Sequence, residues 1–309
     1  MSDDKRFTDP VPMPTGSFAK YGDSPILGSR ATGTLFDASV RETPDGCLRM
    51  DVSWRARQSL AVCFSDDGIR WTEPVITLTG DPGSGWEDIV NRNCVLPDPD
   101  GGYRMWYTGQ VWEGSRGQSR IGVAHSADGL HFERFRREPV LVPEADYEGE
   151  SVMNPFVRYE NGRYRMWYAA GETYEPNVIC YAESADGIRW EKYGRNPIFS
   201  CAPENVWEQN RIGACEVLPE DGGYLMFYIG YRDIDTACIC AARSPDGITG
   251  WTRVPENPLV TPTPGAWDAD ACYKPAVVRS ADGTFRLWYN GRRGGEEYIG
   301  YASGRLQPR

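Results

Sequence analysis

Apolar positions along the chain come in short runs separated by turn residues, and the same arrangement returns about every 60 positions. An apolar-aromatic triplet stands at residues 105–107, 166–168, 226–228 and 287–289. A Ser-Xaa-Asp-Gly turn stands at residues 65–68, 126–129, 184–187 and 244–247. No segment has helical periodicity, so the repeat is predicted to consist of β-strands.

Each repeat contains four predicted strands. The first is an apolar run that ends at an Asp-Gly or Asn-Gly pair, at residues 45–46, 100–101, 161–162, 221–222 and 282–283. These pairs supply the positive φ angles that tight hairpins need. The second strand carries the aromatic triplet, the third ends at the Ser-Xaa-Asp-Gly turn, and the fourth begins at the next aromatic residue. The pattern predicts an all-β fold: a five-bladed β-propeller with four-stranded antiparallel blades.

The N-terminal segment is predicted to complete the last blade. A fourth-strand motif containing Pro and two apolar residues recurs at 73–76, 138–141, 196–199 and 257–260, and a further copy at 24–27 precedes the first blade. The last repeat, which ends near Ser303, has no copy of its own. We therefore expect residues 1–22 to be an N-terminal extension and residues 23–309 to be a single propeller domain.

Acids that recur in every repeat are predicted to be structural, because a residue that each blade needs is a poor candidate for a single catalytic group. One series belongs to the Ser-Xaa-Asp-Gly turns, where we expect Asp67, Asp128, Asp186 and Asp246 to cap the turn. The other series follows an aromatic residue at the start of a repeat and comprises Glu87, Glu148, Glu208 and Asp268.

The charge and composition of the chain limit the classes of molecule that it is expected to bind. A net charge of −11 disfavours nucleic acid and anionic membrane surfaces, because phosphate groups are bound by clustered Lys and Arg. No apolar run is long enough for a signal peptide or a membrane-spanning helix. The nine cysteines lack paired spacing, which indicates reduced thiols and a cytoplasmic protein. A neutral small molecule such as a sugar stays open as the partner.

Candidate functional residues are sought where the repeats differ, because the first strands of all blades converge on the propeller axis. One aligned column reads Asp37, Asn93, Asn154, Ala214 and Lys274. A buried set of unlike polar groups is costly unless the groups are paired or used, so we expect this column to bind a ligand. Glu216 is the single acid in a neighbouring column and is either a functional acid or the partner of a nearby cation.

Further candidates lie upstream of these strands. Asp88, Glu150 and Asp270 are expected on the cavity rim, and Arg211 and Tyr273 beside the axis. The two histidines, His125 and His131, fall away from the axis, which disfavours a Ser-His nucleophile or a zinc site. Two positioned carboxylates are the groups that cleave glycosidic bonds.

The blade signature resembles the five-bladed propeller glycosidases of glycoside hydrolase families 43, 32 and 130, over residues 23–303. The resemblance implies that Asp37, in Asp-Ala-Ser-Val, occupies the place of the base or nucleophile. Asn154 occupies the place of an orienting Asp, and Glu216 lies on the blade of the general acid, displaced along the strand. Glu150 and Asp270 are the alternative acids.

The leading hypothesis is an exo-acting hydrolase of a small oligosaccharide or glycoside. The hydroxyls of the sugar substrate would be held by Asn93, Asn154, Arg211 and Lys274. The sugar rings would stack on Trp54, Trp112 or Tyr174. One alternative is a phosphorylase in which Lys274, Arg211 and Arg92 or Arg292 bind inorganic phosphate. Another is a carbohydrate-binding propeller without catalysis. No cofactor is expected, although an axial calcium ion is compatible with the sequence.

Overall fold

A computed structural model of the chain describes residues 13–308, which form five four-stranded antiparallel units, called blades 1 to 5 below. A short strand, β1 (Ala19–Lys20), comes first. Blade 1 contains β2 (Leu35–Glu42), β3 (Leu48–Trp54), β4 (Ser59–Ser65) and β5 (Val75–Thr79). Blade 2 contains β6 (Ile89–Pro97), β7 (Tyr103–Glu113), β8 (Arg116–Ser126) and β9 (Glu133–Arg134). Blade 3 contains β10 (Ser151–Glu160), β11 (Arg163–Gly171), β12 (Pro176–Ser184) and β13 (Glu191–Lys192).

The last two blades have the same order of strands. Blade 4 contains β14 (Arg211–Glu220), β15 (Gly223–Tyr231), β16 (Ala237–Ser244) and β17 (Thr252–Arg253). Blade 5 contains β18 (Ala271–Arg279), β19 (Phe285–Arg293) and β20 (Glu296–Gly304), with β1 as its fourth strand. Within residues 13–308 the helical segments are two single turns, Arg55–Arg57 and Asp146–Glu148. The prediction of an all-β propeller is confirmed.

The N-terminal segment completes blade 5. Ala19 and Lys20 pair with Ser303 and Ala302. Leu27 forms a bridge to Ile299 that is equivalent to the bridges Leu141–Ile121, Phe199–Ile179 and Val260–Ile239. Residues on both sides of position 22 thus contact the last blade, and the division into extension and domain stays a prediction. Residues 1–12 of the predicted extension lie outside the described residues.

The core consists of apolar clusters between neighbouring blades. They lie between blades 1 and 2, 2 and 3, 3 and 4, 4 and 5, and also between blades 5 and 1. Tryptophans of the repeated triplet are fully buried there and donate their indole N–H to the turn glycine of the next blade: Trp106 to Gly187 (2.8 Å), Trp167 to Gly247 (2.7 Å) and Trp288 to Gly68 (2.8 Å). The recurring aromatic residues therefore join blade to blade.

The recurring acids are structural, as predicted. Asp67 Oδ1 accepts the backbone N–H groups of Ile69 and Arg70 at 2.9 and 2.8 Å, and these bonds hold its pKa well below the usual range. The acids of the other series are buried and accept a tyrosine hydroxyl: Glu87 from Tyr107 (2.8 Å), Glu148 from Tyr168 (2.8 Å), Glu208 from Tyr228 (2.8 Å) and Asp268 from Tyr289 (3.0 Å).

The first strands of the blades line the axis. Contacts run from β2 to β6, β6 to β10, β10 to β14, β14 to β18, and from β18 to β2. Among residues 13–308, no helix has the length and apolar character needed to span a membrane.

Candidate functional site

A bulge interrupts the first strand of each blade at the same register. At each bulge one non-glycine residue adopts a positive φ: Asp37 (57°), Arg92 (52°), Asn154 (54°), Ala214 (23°) and Lys274 (51°). Residues other than glycine rarely adopt positive φ angles, and the backbone strain that these angles cause is concentrated at functional sites. We call these five residues the axial ring.

The ring differs from the sequence alignment in blade 2. Val95 lies opposite Met105 just as Val40 lies opposite Met50, so the residue equivalent to Asp37 is Arg92 and not Asn93. The alignment was one residue out because residues 91–93 are all polar, so the sequence does not mark which of them lies at the bulge. Asn93 is buried beside the ring, and its side-chain amide has no hydrogen-bond partner among the described residues.

The backbone of the axial ring is held by polar side chains from the preceding blade at three of its five positions. The N–H of Arg92 donates to Ser53 Oγ (2.9 Å), that of Asn154 to Thr108 Oγ1 (3.0 Å), and that of Asp37 to Asn290 Oδ1 (2.9 Å). The register places Ala169 and Ile229 at the two other equivalent positions, before Ala214 and Lys274. Neither side chain can accept a hydrogen bond, so only Asp37, Arg92 and Asn154 are clamped in this way.

Asp37 lies on the axis, as predicted, and Asn290 binds it twice. Besides accepting the backbone N–H, Asn290 donates through Nδ2 to Asp37 Oδ1 at 3.2 Å. Arg92 Nε lies 3.5 Å from the other carboxylate oxygen, Oδ2. That oxygen has no hydrogen-bond partner within residues 13–308. Asn290 thus holds one oxygen of the carboxylate, and the other oxygen is buried beside the Arg92 guanidinium group.

A cavity of about 420 Å³ is lined by Phe36 and Arg92, the neighbours of Asp37, and we call it the central cavity. Arg92 forms part of its wall, so Asp37 lies directly behind the wall. Two further arginines, Arg55 and Arg292, line the cavity together with two acids, Glu175 and Glu297. The central cavity therefore combines carboxylates and guanidinium groups of blades 1, 2, 3 and 5.

Glu175 is the buried acid of this cavity. It ends the loop between β11 and β12, and Arg211 Nη1 donates to its backbone carbonyl at 2.8 Å. The Tyr231 hydroxyl donates to Glu175 Oε2, and Arg292 Nη1 lies 3.7 Å from Oε1. Burial raises the pKa of Glu175 to about 7, and the nearby charge of Asp37 adds to the rise. Glu175 can therefore carry a proton near neutral pH, as a general acid must.

Glu297 is the second acid of the wall, at the start of β20. It accepts the Tyr273 hydroxyl at Oε1 (2.7 Å), and Arg55 Nη2 lies 2.5 Å from Oε2. Burial and the charge of Glu297 raise the pKa of Tyr273 well above the usual range, so this hydroxyl stays a donor. Glu297 is an ion-paired carboxylate with a fixed orientation.

Sequence reasoning missed Glu175 because it considered the first strands and their upstream rims. The acid lies in the loop 172–175, where Tyr174 was named as a stacking aromatic but its neighbour was not. Its burial depends on Tyr231 and Arg211 of blade 4. The sequence feature that could have indicated Glu175 was an acid next to an aromatic residue in a loop at the cavity mouth.

Glu216 and Lys274 are not brought to the central cavity. Glu216 lines a separate cavity of about 560 Å³ at the opposite end of the axis, where its Oε2 accepts the Val277 N–H at 2.8 Å. Burial raises its pKa to about 7, while the charge of Lys274 acts against the rise. The carboxylate is thus held by the Val277 backbone, and both roles named for Glu216 stay predictions.

The predicted rim acids also lie outside the central cavity. Glu150 forms an ion pair with Arg116 at 2.7 Å and lines an adjoining cavity. Asp270 Oδ2 accepts the Gly294 N–H at 2.7 Å and lines a cavity beside the N-terminal segment. Asp88 is exposed on the surface.

Predicted binding residues divide into two groups. Trp54, Trp112 and Tyr273 line the central cavity, and Arg211 supports the Glu175 loop from behind. Asn93 and Asn154 are buried near the ring and outside the cavity wall. Within residues 13–308, no group of three His, Cys, Asp or Glu side chains is arranged to hold a metal ion.

Comparison with known proteins places the chain in a family. A model of the "Glycosyl hydrolases family 32 N-terminal domain" matches residues 43–211, which run from the first hairpin of blade 1 to the start of blade 4. The chain belongs to this family. Family 32 membership confirms the resemblance drawn from the blade signature.

Two curated relatives of this family 32 chain match part of its length. An uncharacterised protein of Mycobacterium tuberculosis (strain ATCC 25618 / H37Rv) is 32% identical over 193 residues, 60% of this chain and 61% of the relative. The match thus spans about three fifths of that relative. A beta-1,2-mannobiose phosphorylase of Thermoanaerobacter sp. (strain X514) is 30% identical over 132 residues, 37% of this chain and 42% of that protein.

Solved structures share the fold. The crystal structure of a thermostable family-43 glycoside hydrolase superposes with a TM-score of 0.69 at 16% identity, covering 89% of this chain and 95% of that chain. At this identity the likeness concerns the fold, and the chemistry must be argued from the site. The chain therefore has a glycoside-hydrolase-type propeller fold.

Proposed function

We propose that the protein is a glycosidase that cleaves a small oligosaccharide or glycoside in the central cavity. Glu175 acts as the general acid and Asp37 as the base or nucleophile. The observation that carries the proposal is the environment of Glu175: a buried carboxyl with a pKa near 7, close enough to a second carboxylate to be affected by its charge. Two carboxyl groups held in unlike environments are the usual signature of acid/base assignments in glycosidases.

The proposed reaction follows from the contacts of these two groups. Glu175 transfers its proton to the glycosidic oxygen as the bond to the anomeric carbon breaks. Asp37 Oδ2 then either removes a proton from the attacking water or itself attacks the anomeric carbon. The Tyr231 hydroxyl and Arg292 lie against Glu175 and stabilise the carboxylate that remains after proton transfer.

The size of the cavity supports a small substrate. A volume of 420 Å³ lies within the range of about 300–1000 Å³ found for small-molecule sites. The axial ring lies beneath it, and Trp54 and Trp112 stand in its wall. Apolar ring faces beside hydrogen-bonding groups suit a sugar that enters with one end first, as an exo-acting enzyme requires.

The test is hydrolysis of a panel of aryl glycosides by the wild type, Glu175→Gln and Asp37→Asn. Loss of the acid should slow substrates with poor leaving groups by about 10²–10⁴-fold and affect good leaving groups much less. Asp37→Asn should slow all substrates alike. Glu138→Gln, which removes an exposed acid that lines neither the central cavity nor its neighbours, is the matched control. If Asp37→Asn keeps full activity and Glu297→Gln loses activity, the base or nucleophile is Glu297 and not Asp37.

A phosphorylase is the second candidate, and the cations favour it. Arg55, Arg92 and Arg292 all line the central cavity, and the Thermoanaerobacter relative is named as a phosphorylase. Inorganic phosphate would then replace the attacking water. A rate that rises with phosphate concentration and yields a sugar phosphate would support this candidate. Ligand-induced stabilisation without turnover under either condition would instead indicate a carbohydrate-binding propeller.

We also propose a cytoplasmic location, which rests on the cysteines. All nine are free, and seven of them are buried. Unpaired buried thiols are typical of proteins kept in a reducing compartment. Immunodetection in cell fractions of the source organism would test the location.

A further inference from the structure

A second cavity adjoins the central cavity between blades 2 and 3, and we call it the side cavity. Its volume is about 510 Å³. Trp112, Thr173 and Tyr174 line both cavities, so the two are direct neighbours. A molecule that extends from the central cavity past these side chains would enter the side cavity.

Two aromatic residues at the junction present free ring surface. Trp112 is 40% exposed and Tyr174 is 53% exposed, although most large apolar side chains of the described residues are buried. Trp112 lies near the end of β7, and Tyr174 directly precedes Glu175 in the loop after β11. Exposed aromatic surface next to a polar cavity indicates a binding function rather than a packing function.

The loop that carries Tyr174 is anchored to blade 2. The hydroxyls of Thr173 and Ser151 share a short hydrogen bond, and Ser151 Oγ accepts the Ser119 N–H at 3.0 Å. Thr173 is buried, and its methyl group packs where a side chain on Gly117 would stand. The aromatic surface is therefore held in place before a ligand arrives, which lowers the entropy cost of binding.

Polar groups face the aromatic residues across the side cavity. Arg116 and Glu150 form an ion pair of 2.7 Å in its wall. Asn177 accepts the Glu172 N–H at Oδ1 (2.9 Å), which leaves its Nδ2 group as a donor. A sugar ring offers an apolar face for stacking and hydroxyls for bidentate contacts with charged or amide groups.

We propose that the side cavity binds the sugar unit on the leaving-group side of the scissile bond. The assignment rests on the proposed function and on the position of Glu175. A general acid must lie beside the leaving oxygen, and Glu175 follows the residue that separates the two cavities. The sugar attached through that oxygen then extends past Tyr174 into the side cavity, so the substrate is an oligosaccharide rather than a simple glycoside.

The test compares an oligosaccharide with the matching glycosyl fluoride, whose leaving group is too small to reach the side cavity. In Tyr174→Ala the ratio of kcat/KM for the oligosaccharide to kcat/KM for the fluoride should fall about tenfold, the size expected for a lost ring contact. Arg116→Ala should lower the same ratio. Phe135→Ala, which removes an exposed aromatic residue outside both cavities, should leave the ratio unchanged.

A binding measurement separates this inference from the proposed function. The oligosaccharide should change the tryptophan fluorescence of the wild type, and Trp112→Phe should reduce that change to the part that arises from Trp54 in the central cavity. Binding without hydrolysis of any substrate would overturn the proposed activity and leave the side cavity as a sugar site. Hydrolysis with an unchanged ratio in Tyr174→Ala and Arg116→Ala would overturn the side cavity as a sugar site and leave the activity standing.

Discussion

Asn290 and Asp37 are joined by two hydrogen bonds, which we call the clamp. The clamp should be needed for activity as well as for stability. Asn290→Ala removes the acceptor of the Asp37 N–H (2.9 Å) and the donor to its carboxylate (3.2 Å), and both groups are buried. Leaving buried polar groups unpaired costs about 1–3 kcal/mol each, and water entering the space of the lost amide offsets part of this. We expect the free energy of unfolding to fall by about 2 kcal/mol, which lowers Tm by about 3 °C for a chain of 309 residues.

The effect on catalysis has a different cause. Asp37 is held at a positive φ of 57°, and without the clamp its backbone can relax towards the common regions of φ and ψ. A displacement of the carboxylate by about 1 Å can reduce the rate 10²-fold. We therefore expect kcat to fall about 10²-fold while KM changes little, because Asp37 lies behind the cavity wall.

Two further variants separate the effect of the hydrogen bond to the Asp37 N–H from the effect of the hydrogen bond to its carboxylate. Asn290→Thr offers a hydroxyl that can accept the Asp37 N–H, as Ser53 and Thr108 do at the equivalent positions. It should recover most of the stability and part of kcat. Asn290→Asp keeps the backbone acceptor but places a second carboxylate beside Asp37, so its activity should rise as pH falls and the added charge is neutralised.

The assays are thermal unfolding by circular dichroism and pH–rate profiles on the best substrate of the panel. Tyr107→Phe is the control, because it removes a buried hydrogen bond to Glu87 (2.8 Å) far from the central cavity. A catalytic role for the clamp would be refuted by one result. In that result Asn290→Ala loses as much Tm as the control but keeps the kcat and the pH profile of the wild type.

Two pH predictions follow from the buried acids. Since Glu175 must be protonated to act and its pKa is about 7, kcat/KM should decline above about pH 7, and Glu175→Gln should abolish that limb of the profile. Glu216 also has a raised pKa of about 7, so the folded state binds its proton more tightly than the unfolded chain, and its burial costs stability as pH rises from about 4.5 through 7. Glu216→Gln should therefore increase the free energy of unfolding by about 2 kcal/mol at pH 8, leave it unchanged at pH 4 in urea titrations, and retain activity. Loss of activity with unchanged stability would return Glu216 to the catalytic site.

The fold was predictable because its signals are local and repeated. Asp-Gly and Asn-Gly turns mark the hairpins, and the recurring Trp and acid residues join neighbouring blades in the same way each time. Even the pairing of residues before blade 1 with β20 followed from a missing motif in the last repeat. Repetition averages out the uncertainty of each single element.

The site was predictable only in part, because its parts are neither local nor repeated. Asp37 was found from its place on the first strand. Arg92 was named as a phosphate ligand but not as the equivalent of Asp37, because the polar residues on both sides of it leave the register open. Glu175 was missed because its raised pKa arises from burial in contact with Tyr231 of another blade. Glu216 was assigned to the first strand of blade 4, but its part of that strand lines the cavity at the opposite end of the axis.

The axial ring explains how a symmetric scaffold yields an asymmetric site. Each blade offers one strained position at its first-strand bulge, so the fold supplies five equivalent places for a functional residue. A strained backbone persists where the surroundings hold it, and here the second strand of the preceding blade decides whether a polar side chain does so. The clamped positions carry Asp37, Arg92 and Asn154, and the unclamped ones carry Ala214 and Lys274. The residue three positions after the first residue of each aromatic triplet, or its blade 1 equivalent, thus indicates from sequence which ring residues are clamped, and these are the ring residues of blades 1 to 3.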